Sequence, residues 1–278
     1  MRVTIFGASG LLGKALVREW LGDEVLGLNS RDADLREALE VRAAVERTRP
    51  DWIVLAAAYT DVDGCESNPE RAFSVNRDGT VNVAEAARHA GAKLLFLSSD
   101  YVFDGTKTSP YETTDARNPK SVYGRSKAEA ELRLLKILPQ ACIVRTSWLF
   151  GAGGKCFPDT ILKLAASRPA LDVVQDQRGC PTYSLDLARA IIQLCRKGAS
   201  GIVHATNAGD CSWYEFANAI VAGGGLATEV RPVNSLQMAR PAPRPAYSVL
   251  STASLQAYGI TLPAWQDALG RYLRERKG

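Results

Sequence analysis

Residues 2–13 read RVTIFGASGLLG, and this stretch decides the fold. Strand-forming residues lead into a glycine-rich turn and then into a helical pattern that continues through Trp20. A strand, a glycine turn and a helix in this order are typical of a dinucleotide site. Gly7 permits the tight turn, Gly10 lets the backbone approach a pyrophosphate, and Gly13 lets helix and strand pack closely. The spacing is GxxGxxG rather than GxGxxG, and a glycine turn without a ligand is the alternative.

Further apolar runs alternate with helical patterns, as expected for parallel strands that helices cover on both faces. Strands are predicted over residues 24–28, 51–58, 93–100, 142–145, 171–174 and 201–205, and helices over residues 39–47, 76–89, 160–167, 185–195, 213–221 and 265–275. We therefore predict an α/β fold, a Rossmann-type doubly wound parallel sheet with a smaller, irregular α/β domain towards the C-terminus. Residues 1–150 form the predicted cofactor domain, and residues 185–208 return to its sheet. The rest of 151–278 forms the predicted substrate domain.

The residues after the second predicted strand bear on the choice of cofactor. A protein selective for NAD usually has an acidic residue there that holds the ribose 2′-hydroxyl. This chain has Asn29-Ser30-Arg31 instead. No carboxylate in that triplet would repel a 2′-phosphate, and Arg31 could pair with one. The sequence thus favours NADPH, while Asp32 and Asp34 leave NADH possible.

A tyrosine and a lysine one helical turn apart indicate acid–base chemistry. Tyr123 and Lys127 lie four positions apart in a helical pattern, so they share one face of the helix. A neighbouring ammonium favours the phenolate, and such a tyrosine can protonate a developing alkoxide at neutral pH. Ser99 ends a predicted strand, where its hydroxyl could hydrogen-bond a substrate carbonyl. Each feature alone also fits a structural role, as a half-buried aromatic on a surface helix or a serine that caps a strand.

Composition excludes several classes of function. Lys and Arg number 34 against 30 Asp and Glu, and the resulting charge of +4 is too small to argue for nucleic-acid binding. No apolar run is long enough to span a membrane, and residues 1–6 lead into a strand without a signal-peptide layout. The 6 cysteines show no CxxC spacing, so we expect a reduced, cytoplasmic protein. The 2 histidines lie apart from any ligand cluster, and we expect no metal site.

Together these motifs resemble the extended short-chain dehydrogenase/reductase superfamily and, within it, the dTDP-4-dehydrorhamnose reductase family. The resemblance runs nearly end to end. It is carried by GASGLLG from Gly7, AAAYTDVDGCE from Ala56, SSDYVFDG from Ser98, VYGRSK from Val122, RTSWLFG from Arg145, DQRGCPT from Asp176 and RP at Arg244. The short motifs are common to the superfamily, whereas the combination of SSDYVF, RTSW and DQxGxPT is much more specific.

The resemblance implies reduction of the C4 keto group of dTDP-4-dehydro-6-deoxy-L-mannose to dTDP-L-rhamnose by NADPH, in nucleotide-sugar biosynthesis for cell-surface polysaccharides. It implies that Tyr123 protonates the new hydroxyl and that Ser99 hydrogen-bonds the carbonyl oxygen. Lys127 would bind the nicotinamide ribose and lower the Tyr123 pKa. The expected cofactor-binding residues are Gly7, Ser9, Gly10, Leu11, Leu12, Arg31, Asp34, Leu35, Ala56, Ala57, Tyr59, Tyr123 and Lys127. The expected substrate-binding residues are Val62, Asp100, Tyr101, Trp148 and Arg244.

Two other functions fit the same motifs. One is another nucleotide-sugar epimerase or reductase, and the segment around Trp148 argues against an epimerase. The other is a non-catalytic, NADP-binding regulatory subunit of the methionine adenosyltransferase type, which the intact Ser99, Tyr123 and Lys127 disfavour. Some relatives dimerise through magnesium-binding glutamates, but this chain has Ala15 at one such position and no matching acid near Leu185. We expect a monomer or weak homodimer without a magnesium bridge.

Overall fold

The structure is a computed structural model that describes residues 1–276. Its strands are β1 (Arg2–Phe6), β2 (Glu24–Leu28), β3 (Trp52–Leu55), β4 (Lys93–Ser99), β5 (Cys142–Thr146), β6 (Leu149–Phe150), β7 (Ala170–Val174), β8 (Arg178–Gly179), β9 (Thr182–Tyr183), β10 (Gly201–His204), β11 (Cys211–Ser212) and β12 (Glu229–Val233).

The α-helices are α1 (Leu11–Glu19), α2 (Ala38–Thr48), α3 (Val62–Ser67), α4 (Pro69–Phe73), α5 (Gly79–Ala90), α6 (Val122–Ile137), α7 (Phe157–Ala165), α8 (Ser184–Arg196), α9 (Trp213–Gly224), α10 (Ala253–Gln256) and α11 (Trp265–Glu275). A π-helical turn at Ser74–Asp78 precedes α5. Within residues 1–276 no helix has the length and apolar character that crossing a membrane requires.

Six parallel strands form the central sheet in the order β10-β5-β4-β3-β1-β2. The chain reverses its direction of winding between β1 and β3, and ligands of such sheets bind outside the carboxyl ends of the strands at that point. After α8 the chain joins this sheet again, since β10 pairs in parallel with β5 from Gly201↔Cys142 onward. The predicted doubly wound fold is therefore confirmed.

Helices cover both faces of the sheet because successive side chains of a strand point to opposite sides. In β3, Trp52 and Val54 enter one apolar core with α1 and α8. Ile53 and Leu55 enter the other core with α2, α5 and α6. A continuous apolar strand is thus buried on both faces, as its sequence predicts.

Apart from β10, the short strands from Leu149 onward form small pairs around the first of these cores. β6 pairs with β9, β7 with β12 and β8 with β11. Phe216 of α9 and Leu269 of α11 belong to the same core as the sheet residue Val54. The division into domains at residue 150 stays a prediction, and positions 277 and 278 of the predicted second domain lie outside the described residues.

Most predicted elements differ from the observed ones only at their ends. The helix predicted over 160–167 begins at Phe157, because Pro158 occupies its first turn, where a proline loses no hydrogen bond. The helix predicted over 76–89 is interrupted, since Asn76 lies in the π-helical turn and only α5 continues as an α-helix.

Candidate active site

A cavity of about 1220 Å³ opens at the carboxyl ends of the central strands. Its walls come from the residues that follow β1, β2, β3, β4 and β5, together with parts of the chain beyond residue 150. The cavity therefore lies at the point where the winding of the sheet reverses, which is the usual ligand position in this architecture.

The glycine turn forms one end of the cavity with its backbone exposed. Gly7 has a φ of +89°, and a Cβ there would lie 2.6 Å from the backbone nitrogen of Ala57. A Cβ on Gly13 would lie 2.1 Å from the Gly7 carbonyl oxygen. Gly10 caps α1 without a side chain, so the first amides of α1 keep their hydrogen-bonding capacity. This cradle fits a pyrophosphate, which the amides and the helix dipole would both stabilise.

The end of β3 borders the cavity with Ala56, Ala57 and Tyr59, all of which were predicted there. The backbone of Tyr59 is held by Asn76, whose Oδ1 accepts its N–H at 2.7 Å and whose Nδ2 donates to its carbonyl at 3.1 Å. The sequence-based prediction missed Asn76. The signal in the sequence was only an asparagine at the start of a helical pattern. The structure buries this residue in a π-helical turn, and such turns often occur at functional sites.

The other end of the cavity is lined by Asn29, Ser30, Asp34, Leu35 and Arg36. Arg31 is exposed and is not part of this lining, whereas Arg36 is. Arg36 pairs with Asp34, and its hydrogen bonds hold the pKa of that carboxyl below its usual range. Sequence reasoning missed Arg36, although it is a second cation only five positions after Arg31.

Ser99, Tyr123 and Lys127 line the same cavity, as the sequence predicted. Ser121 caps α6 and accepts the Gly124 N–H at 3.1 Å, so Tyr123 and Lys127 lie on the first turns of that helix. Their exposed fractions are 9% and 2%. The ammonium of Lys127 donates to the Leu97 carbonyl at 2.6 Å. The Ser99 hydroxyl donates to Asp100 Oδ1 at 2.8 Å.

The resemblance implied that Lys127 lowers the pKa of Tyr123, whereas in the structure the pKa of Tyr123 is raised. Burial raises the pKa of Tyr123 well above its usual value, and the charge of Asp100 raises it further. Burial also lowers the pKa of Lys127 to about 7, against the favourable charge of Glu131. Both groups are buried, and desolvation disfavours the charged form of each. Tyr123 consequently keeps its proton at neutral pH.

The five predicted substrate residues, Val62, Asp100, Tyr101, Trp148 and Arg244, all line the cavity. The guanidinium of Arg244 is held by Asp63, with donor–acceptor distances of 2.9 Å to each carboxylate oxygen. Asp100 is buried, and burial raises its pKa to about 6. Within the described part of the chain, Asp100 Oδ2 has no hydrogen-bond partner.

Several lining residues were missed by the sequence-based prediction: Arg71, Lys155, Trp213 and Arg240. Three of them are cations. Arg240 lies in the same proline-rich stretch as Arg244, and its guanidinium is 3.6 Å from Asp63. The alternation of Arg and Pro in that stretch was the available signal.

Among residues 1–276 no three His, Cys, Asp or Glu side chains form a group that could hold a metal ion. Ala15 is buried in the core. Asp186, the residue next to Leu185, is also buried, and Arg271 pairs with it at 2.6 Å. The expectation of a monomer or weak homodimer without a magnesium bridge stays a prediction.

A glycine cradle at the reversal point of a parallel sheet, with a buried serine, tyrosine and lysine across the same cavity, defines a Rossmann-type protein of the short-chain reductase class. The family model described as the RmlD substrate binding domain matches residues 1–277, and the chain belongs to this family. The resemblance that the motifs indicated is thereby confirmed.

Proteins similar to this chain match it over nearly its whole length. It is 40% identical to the spore coat polysaccharide biosynthesis protein SpsK of Bacillus subtilis, covering 99% of this chain and 98% of that protein. It is 41% identical to the dTDP-4-dehydrorhamnose reductase of Mycobacterium tuberculosis, covering 98% and 92%. The crystal structure of dTDP-4-dehydrorhamnose reductase from Bacillus anthracis in complex with NADP has a TM-score of 0.96 and 36% identity, and the match covers 99% of each chain.

Proposed function

We propose that the protein reduces the C4 keto group of dTDP-4-dehydro-6-deoxy-L-mannose with NADPH and releases dTDP-L-rhamnose. The observation that carries this proposal is the single cavity that joins the glycine cradle to Ser99, Tyr123 and Lys127. The names of the relatives support the substrate, and the bound NADP of the Bacillus anthracis protein supports the cofactor.

Each group in the cavity then has a chemical role. NADPH, when bound, supplies the hydride. The amides of the glycine cradle would hold its pyrophosphate, and Lys127 would hydrogen-bond the nicotinamide ribose. The phenol of Tyr123 would protonate the C4 oxygen as negative charge develops on it. The Ser99 hydroxyl, which donates to Asp100 in the structure, would turn to donate to the same oxygen.

The nucleotide sugar would occupy the side of the cavity opposite the glycine cradle. Val62, Asp100, Tyr101 and Trp148 would contact the substrate there. Arg244 would attract the diphosphate, and Asp63 would keep its guanidinium in place. We also propose that residues 1–150 and 185–208 hold the cofactor. The rest of residues 151–278, the proposed substrate domain, would add Arg244 to the substrate contacts that residues 1–150 provide.

We propose NADPH as the preferred cofactor, with NADH possible. Changing Arg31 to Ala should raise the KM for NADPH and leave that for NADH unchanged, because only NADPH carries the 2′-phosphate that this cation would pair with. Arg36→Ala is the variant for comparison, because it removes the nearby cation that lines the cavity, whereas Arg31 is not part of the lining. Equal effects of Arg31→Ala on both cofactors would refute a role for Arg31 in this choice.

The reaction is tested by following NADPH oxidation with purified protein and the keto sugar nucleotide generated in situ. Consumption that depends on the sugar nucleotide would support the proposal. Tight binding of NADPH without consumption would point instead to another keto sugar or to a non-catalytic regulatory subunit.

For the assembly we propose a monomer or weak homodimer, and its sedimentation should not change when EDTA is added.

A further inference from the structure

Two tryptophans from distant parts of the chain form one wall of the cavity. Trp148 follows β5, and Trp213 is the first residue of α9. Both line the cavity, and both are partly exposed. Their ring centroids are 3.5 Å apart and their planes differ by 6°. The two indoles therefore lie in face-to-face contact, and each is restrained by the other.

The backbone of Trp148 needs such a restraint. Its φ is +46°, in the left-handed region that a bulky residue rarely adopts. Residues held in this region persist only where their surroundings over-determine them, and they concentrate at active sites and ligand clamps. The stacking against Trp213 is one of the contacts that hold Trp148 in this conformation.

A second contact comes from Gly179 of β8. A Cβ at this position would lie 2.5 Å from the Trp148 ring, so only glycine allows the indole its observed place. Backbone bonds fix the two segments together, since the Thr182 N–H donates to the Trp148 carbonyl at 3.2 Å. The Ser147 hydroxyl donates to the carbonyl of Cys180 at 2.7 Å. The DQRGCPT motif therefore encloses the indole of Trp148.

Trp213 is itself held firmly. Ser212 caps α9 and accepts the Glu215 N–H at 3.1 Å, while Glu215 accepts the Ser212 N–H at 2.6 Å. Arg178 of β8 binds Glu215 at 3.2 Å, and β8 pairs with β11 immediately before Trp213. Phe157 packs on the indole with centroids 4.5 Å apart. Trp213 is thus restrained by contacts that do not involve Trp148.

We propose that Trp213 is a positioning residue for the nucleotide-sugar pocket, because its stacking fixes the Trp148 indole, and the part of that indole that stays exposed forms a wall against which the sugar packs. The inference rests on the proposed function. A 6-deoxyhexose presents C–H groups and a methyl group, and a rigid aromatic wall gives such groups an apolar contact. Trp213 acts through Trp148 and takes no part in the chemistry.

The test measures steady-state kinetics of Trp213→Ala with the keto sugar nucleotide. We expect the KM for the sugar nucleotide to rise roughly 10-fold, the effect of a lost apolar contact. The kcat and the KM for NADPH should stay within about twofold, since a positioning role changes binding of the sugar alone. The far-UV circular dichroism should also lose the exciton signal of two stacked indoles, and Trp213→Phe should restore part of the affinity.

Two further variants separate this role from a general loss of stability. Gly179→Ala keeps both indoles but displaces Trp148, and it should raise the same KM. Trp265→Phe removes another buried indole of the same core and should leave that KM unchanged. The inference is overturned if Trp213→Ala and Gly179→Ala fold and keep the wild-type KM, or if Trp265→Phe raises it equally. Failure of the wild-type protein to reduce the keto sugar would instead overturn the proposed function.

Discussion

Tyr123 remains a neutral phenol in this structure, because burial and the neighbouring Asp100 both raise its pKa. A neutral phenol is the form that a proton donor requires. The raised pKa also means that Tyr123 is not a phenolate nucleophile at neutral pH. The chemistry expected of Tyr123 is therefore donation to an oxygen that becomes negatively charged during the reaction.

Tyr123→Phe removes that proton and little else, because the ring is retained. We expect kcat to fall about 100-fold or more, the range typical of a lost general acid. The dissociation constant for NADPH, measured by fluorescence titration, should change by less than about threefold. A variant that keeps more than half of the wild-type kcat would show that another group donates the proton.

Sequence reasoning located the site residues well where they follow a strand end. Ser99 and Ala57 lie at the carboxyl ends of parallel strands, and these ends converge in any sheet of this kind. Their place in the cavity agrees with the prediction, while their roles stay proposals. The Asp63–Arg244 pair could not be predicted in the same way, because its partners are 181 residues apart and meet only through tertiary packing.

At the level of elements, α6 links the site to the core. Glu131 follows Tyr123 and Lys127 at four-residue spacing on this helix and is fully buried. It accepts hydrogen bonds from Arg145 at 2.6 Å and from Ser98 at 2.6 Å, which join α6 to β5 and β4. Burial alone would raise the pKa of Glu131, but Arg145, Ser98 and Arg117 together lower that pKa below its usual value and keep the carboxylate charged.

Glu131→Gln should lower the free energy of unfolding by roughly 3–5 kcal/mol, because it leaves the buried Arg145 without a carboxylate. Urea denaturation followed by circular dichroism measures this difference. Glu129→Gln is the matched control on the same helix, since the Glu129 side chain is 43% exposed and should lose less than about 1 kcal/mol. Similar losses in both variants would show that the buried network is not what anchors α6.

For the molecule as a whole, the central sheet could be predicted from the sequence better than the short strands in the later part of the chain. The central strands are continuous apolar runs, and such runs alternating with helices have few alternative architectures. The strands β8, β9 and β11 after residue 150 have two residues each, so their partners are set by packing and not by local pattern. Trp213 was missed for the same reason, because its contact with Trp148 is made across 65 positions of the chain.

The stability of the molecule should depend on pH through His204. Burial lowers its pKa to about 4, and the imidazole stays neutral between the Arg145 guanidinium and the Tyr111 carbonyl. In the unfolded chain a histidine titrates near pH ~6.5. Because the folded pKa is the lower one, this contribution is complete above pH ~6.5 and is lost as the pH falls towards 4.

The measurement compares wild type with His204→Gln, which stays neutral at all pH values. From pH 7 to pH 4 the stability advantage of the wild type should shrink by about 3 kcal/mol. Asp100 titrates in the same range with the opposite sign, since its pKa is raised, but it contributes equally to both proteins. An advantage that is constant across this range would show that His204 does not titrate as proposed.

The central claim is hydride transfer from NADPH to C4 of the sugar, and an isotope measurement tests it most directly. The protein would be incubated with the keto sugar nucleotide and NADPH that carries deuterium at both C4 positions, and the product would be examined by NMR. The account predicts one deuterium at C4 of the sugar in every molecule of product. A product with hydrogen at C4, or with deuterium at any other carbon, would contradict it.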